Sequence, residues 1–90
     1  MPTISFFYGI IVRMFFRDME RHNLPHVHAE YQGEYAVFSI ETGEVLAGSI
    51  PRAKAKLVDA WIEIHRDELL ADWQLAVNGQ TVFKIKGLDS

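Results

Sequence analysis

The chain has 90 residues, 49% of them hydrophobic and 23% charged, with a formal net charge of −3 and no cysteine. That length leaves room for one domain around one core, and the composition excludes a disordered or low-complexity chain. The missing cysteines exclude disulfides and thiolate metal sites and suit a reducing cytoplasm, while the acidic balance disfavours coating of nucleic acid through a basic face.

The start Met1-Pro2-Thr3-Ile4-Ser5 has neither a charged leader nor a cleavage site. The apolar run from Ile4 to Phe16 is too short to span a bilayer and is interrupted by Arg13, so no membrane role is expected. Its β-branched and aromatic residues predict a strand over Ile10 to Phe16, preceded by a short extended piece at Ile4 to Phe7 and a bend at Gly9. Arg17 to Pro25 reads as a loop. From Val27 the chain alternates, Val27, Ala29 and Tyr31 on one side and His28, Glu30 and Gln32 on the other, which is the period of a half-buried strand. A turn at Gly33-Glu34 leads to a strand over Tyr35 to Ile40, and a turn at Thr42-Gly43 leads to another over Val45 to Ile50. Short turns between alternating segments predict an antiparallel meander.

Pro51 suits the first turn of a helix, where its missing N–H costs nothing, and Asn78-Gly79 suits its end. Within it, Leu57, Trp61 and Ile64 form one apolar stripe and Leu69, Trp73 and Val77 a second, rotated by well over 90° at about 100° per residue. The rotation predicts a break near His65 to Asp67 or, failing that, a helix buried on two sides. The acidic residues Glu63, Asp67, Glu68 and Asp72 read as a solvated face, and both Trp residues as core, with an interface as the alternative for Trp73. After Gly79, Thr81, Phe83 and Ile85 alternate with Val82, Lys84 and Lys86, predicting a short edge strand protected by its lysines.

Chemistry concentrates in His22, His26 and His28. On a strand, His26, His28 and Glu30 share one face, and His22 can fold back from the loop. Three readings follow. The imidazoles with Glu30 suit a divalent metal. Two imidazoles also suit metal-independent acid–base chemistry, such as attack of an RNA 2′-hydroxyl on its own phosphate, with Arg13 or Arg52 on the phosphate. The third reading is a set of hydrogen-bonded surface histidines. Arg52, Lys54 and Lys56 crowd the helix start, where cations oppose the macrodipole; they read either as a solvated basic patch that tolerates a small cost or as an anion site in which Arg52 and Lys54 remove the conflict. Aromatic residues reach 12%, enough that a flat patch is expected outside the core, fit for a homodimer or a protein partner.

The chain resembles a bacterial family, the domain of unknown function numbered 4160. The resemblance rests on Met1 to Ile4, on Arg13-Met14-Phe15-Phe16, on Pro25-His26-Val27-His28-Ala29 and on His65 to Trp73, and so covers nearly the whole chain. Leu24 stands where the family has proline, Ile50 where it has leucine, and Arg52 follows Pro51 directly. Family genes often lie beside a second small family with a helix-turn-helix-like partner, an arrangement similar to toxin–antitoxin modules. That resemblance implies a partner encoded nearby.

These readings predict an α+β fold: an antiparallel sheet of about four strands with one long kinked or two shorter C-terminal helices on one face. The favoured function is the small component of a toxin–antitoxin-like module with ribonuclease-type activity at His26, His28 and Arg13, without cofactor. Its rivals are a non-catalytic protein-binding module and a metal protein using His26, His28 and Glu30.

Overall fold

Five strands and one long helix follow one another along the chain in the computed structural model, which describes residues 2–15 and 24–89. They are β1 (Thr3–Phe7), β2 (Ile10–Arg13), β3 (His26–Tyr31), β4 (Glu34–Ser39), β5 (Val45–Gly48) and α1 (Arg52–Val77). Each strand pairs antiparallel with its sequence neighbour, giving one sheet in the order β1-β2-β3-β4-β5. The fold is therefore α+β, with one more strand than the four or so expected, because the extended piece at Ile4 to Phe7 is a full sheet member. Phe16 and most of the expected 17–25 loop lie outside the described residues.

Two turns set the register. Tyr8-Gly9 and Gln32-Gly33 each carry two successive positive φ angles, 49° and 80° in the first and 48° and 83° in the second. That is the two-residue hairpin turn whose twist matches the strands it joins. Register then fixes the faces, since directly paired residues point the same way. Val12, Ala29 and Ala36 form one row, and Val27 opposes Phe38. This face packs on Val58, Trp61, Ile62, Leu69, Trp73 and Ala76 of α1 to make the core.

The helix breaks where its apolar pattern rotates. His65 has non-helical angles, φ −109° and ψ 20°. Before it the buried residues are Val58, Trp61 and Ile62; after it they are Leu69, Asp72, Trp73 and Ala76. Ile64, expected in the first stripe, is instead 66% exposed, because Ile62 continues the face of Val58 and Trp61 at helical spacing. Arg66 ties the kink to the sheet: its Nε donates to the Ile40 carbonyl at 2.9 Å. The same guanidinium, hydrogen-bonded to Glu63, holds that carboxyl below the usual carboxylate range. The helix stops at Asn78-Gly79 as expected, with Gly79 N–H on the Ala76 carbonyl and Gln80 N–H on that of Leu75.

The expected final strand does not form. Residues 80–87 are an irregular strap along the β1 edge, with one ladder-like bond from Ile85 N–H to the Ile4 carbonyl at 2.8 Å. Helix side chains hold two further backbone groups of the strap. Phe83 N–H donates to Asp72 Oδ1 at 3.0 Å, and Trp61 Nε1 donates to the Lys86 carbonyl at 2.7 Å. Ile85 is buried while Phe83 is 71% exposed, so the two do not share one face as expected.

Candidate functional site

The strand start brings His26 and His28 together with ring centroids 5.3 Å apart. His26 is fully buried and also meets Trp73 at 5.0 Å, so its ring stands between the helix and the outer sheet face. Its Nδ1 lies 2.6 Å from the Leu24 carbonyl. A carbonyl oxygen only accepts, so Nδ1 carries a proton and donates it to Leu24. His28 is half-buried, with Phe15 at 5.9 Å on its other side. Arg13 is the direct cross-strand partner of His28, and its guanidinium is paired to Glu30 at 2.5 Å. His22 lies outside the described residues.

This geometry bears on each sequence-derived role. The pair His26 and His28 and the cation Arg13 are neighbours, as an acid–base site beside a phosphate requires. Glu30 is engaged by Arg13, and among the described residues no three or more His, Asp or Glu side chains group so as to hold a metal ion. Arg52 sits elsewhere. With Lys56 and Asp59 it lines a groove of about 220 Å³ over Phe38 and Val45. Phe38 belongs to the core-facing row, whereas His28 pairs with Val37 on the opposite face. Arg52 and His28 therefore lie on different sides of the sheet. No acidic residue or side-chain cap relieves the helix start, and Lys54 places its ammonium 5.0 Å from the Tyr31 ring centroid instead.

The outer face of the sheet carries what sequence reading did not single out. Phe6, Ile11, Glu30 and Tyr35 are paired in series across β1 to β4. They form one row pointing away from the helix, and Phe6 and Tyr35 are 61% and 59% exposed. The next row on that face is Arg13, His28, Val37 and Ala47. The Arg13–Glu30 ion pair joins the two rows. The signal lay in the alternation of β1, where Phe6 must face opposite to Phe7, but only register shows that it lines up with Tyr35.

Asp72 corrects a further expectation. It is not on a solvated face but 2% exposed, while Glu63, Asp67 and Glu68 are exposed as expected. Spacing from Leu69 and Ala76 puts it on the buried side of α1, and that phase overrides its charge. Burial pushes its carboxyl above the usual carboxylate range; the Phe83 N–H opposes that rise and the charge of Glu68 adds to it. Among the described residues, no helix is long and apolar enough to cross a membrane.

Neither a search of curated proteins nor a search of solved structures finds a match. A family model does match, over residues 9–74, which includes the histidine pair, β2 to β5 and nearly all of α1. The matched stretch is most of the chain, and it holds the Pro25-His26-x-His28 segment whose geometry is described above. This chain belongs to the family described as Domain of unknown function (DUF4160).

Proposed function

We propose that the chain is a protein-binding module, the small component of a two-protein assembly similar to toxin–antitoxin modules, and that it docks its partner on the outer sheet face. The observation that carries this reading is the row Phe6, Ile11, Glu30 and Tyr35, two of whose rings stand more than half exposed across four paired strands. Large rings held open by a rigid sheet cost solubility and contribute nothing to the core, which is the signature of a surface kept for association. The partner is a folded protein with an apolar patch of its own, encoded beside this chain. Co-expression with the neighbouring gene product tests it. A complex that survives purification from wild type and is lost from the Phe6→Ser/Tyr35→Ser variant supports the reading; a complex that forms equally with both overturns it.

A second reading rests on a different observation, the contact of His26 and His28 beside Arg13. In metal-independent RNA cleavage one imidazole would take the proton of the 2′-hydroxyl and the other would protonate the leaving oxygen, with Arg13 on the phosphate. The full burial of His26 weighs against it, because RNA must reach both rings. RNA cleavage that is unchanged in the His26→Ala/His28→Ala variant removes this reading and leaves the binding module standing.

A further inference from the structure

The strap covers the β1 edge on few bonds. Beyond the helix cap, three hydrogen bonds hold it among the described residues: Phe83 N–H to Asp72 Oδ1 at 3.0 Å, Ile85 N–H to the Ile4 carbonyl at 2.8 Å, and Trp61 Nε1 to the Lys86 carbonyl at 2.7 Å. Buried Ile85 and the close fit of Gly87, where an added Cβ would stand 2.7 Å from Phe7 Cβ, complete the seat.

Asp72 is an unusual anchor for such a segment. Its side chain is nearly sealed, Oδ1 accepts the Phe83 N–H, and Oδ2 is buried with no hydrogen-bond partner. Desolvation falls mainly on the charged form, so this seat suits a neutral carboxyl far better than a carboxylate. Two charged groups border it. Glu68, one turn earlier on α1 and itself paired with His65 at 2.6 Å, adds a like charge that is felt at Asp72. Lys84 lies on the strap beside the groove between α1 and residues 83–85, yet no ion pair joins it to Asp72. Of the two elements around the carboxyl, α1 is anchored by buried Leu69, Trp73 and Ala76, whereas the strap has no ladder. When Asp72 needs water, the strap is the element that yields.

We propose that the strap is a latch: protonated Asp72 keeps residues 80–87 seated on the β1 edge, and ionised Asp72 lets them swing away, hydrating the carboxylate and uncovering the Ile4 carbonyl. The latch stands apart from the sheet-face reading, because it uses the helix, the strap and the β1 edge and none of the outer-row residues. An uncovered edge presents unpaired backbone groups. In the open state the Asp72 carboxyl returns towards its ordinary value of 3.8, so the seated state binds the proton more tightly. The seat is thus firmest at low pH. It loosens as pH rises from that value through the raised closed-state one, and the loss levels off above it.

Hydrogen exchange of the full chain between about pH 3.5 and pH 7, converted to opening constants, tests this. The Phe83 amide reads the Asp72 bond and the Ile85 amide reads the β1 edge. Both should open together, with a much weaker urea dependence than the β3 and β4 amides, as a local event requires. Their opening constant should rise about threefold or more across the range, levelling off where the Asp72 carboxyl titrates by carbon NMR. Asp72→Asn, which keeps an acceptor for the Phe83 N–H, should remove that rise. Gly87→Ala should increase opening at every pH and leave the rise in place. Strap amides that exchange only with the core, an opening constant independent of pH, or a rise that levels off away from the Asp72 titration would each overturn the proposal, as would a rise that persists in Asp72→Asn. The first three are read on wild type, so they hold even if Asp72→Asn folds poorly.

Discussion

Among the described residues, His26 and Asp72 are the two buried ionisable side chains, and they are buried differently. His26 is enclosed by rings on two sides and donates Nδ1–H to the Leu24 carbonyl. Asp72 has one oxygen on the Phe83 amide and the other on nothing. The contrast shows that burial alone does not mark a functional residue. A polar group with its partners in place behaves as part of the core, whereas one left with an unmet oxygen carries an uncompensated desolvation cost.

The largest effect expected from breaking this contrast is at His26. His26→Ala removes a ring packed between Trp73 and His28 and leaves the Leu24 carbonyl without its donor. It should cost about 2–4 kcal/mol in urea unfolding; a loss near zero would show that the ring is not part of the core. Next comes the strap. A Cβ added at Gly87 would crowd Phe7 and the Phe6 carbonyl. Gly87→Ala should therefore cost about 1–3 kcal/mol. Hydrogen exchange should quicken at Phe83 and Ile85 while the amides around His26 keep their protection.

Asp72→Asn should change stability at pH 7 by only about 1 kcal/mol or less, because the Phe83 acceptor is retained and a buried charge is removed. Its signature is the pH dependence. The folded carboxyl binds its proton more tightly than the unfolded one, whose ordinary value is 3.8. Stability is thus higher at low pH and falls as pH rises from that value through the raised folded one. Asp72→Asn should flatten that slope in unfolding curves collected from pH 3 to pH 7; a slope that persists unchanged places its source in another group. The smallest effect is at Arg13, whose pair with Glu30 is about a quarter exposed on each side. Arg13→Gln should cost about 0.5 kcal/mol, and no more than about 1, in the same assay.

Much of the architecture was legible in the sequence because local rules and packing agree there. Alternation from Val27 onward and the turn glycines give β3 to β5, Pro51 and Asn78-Gly79 bound the helix, and the rotated apolar stripe announces the kink at His65. The strap was misread as a strand because its fate depends on capture of its backbone by Asp72 and Trp61, residues 11 and 25 positions away. No periodicity encodes that. The histidine neighbours followed from strand spacing, but the burial of His26 required Trp73, which reaches it from the far end of the helix. The separation of Arg52 from His28 and the outer row of Phe6 and Tyr35 both depend on inter-strand register, which no single segment displays.

The most direct measurement is the affinity of the purified chain for its neighbouring gene product, by calorimetry, in wild type and in the Phe6→Ser/Tyr35→Ser variant. If the outer sheet face is the docking surface, loss of its two exposed rings should weaken binding by at least about 30-fold. The unfolding midpoint should stay close to that of wild type, because neither ring belongs to the core. An unchanged affinity in a folded variant would contradict the assignment of this face.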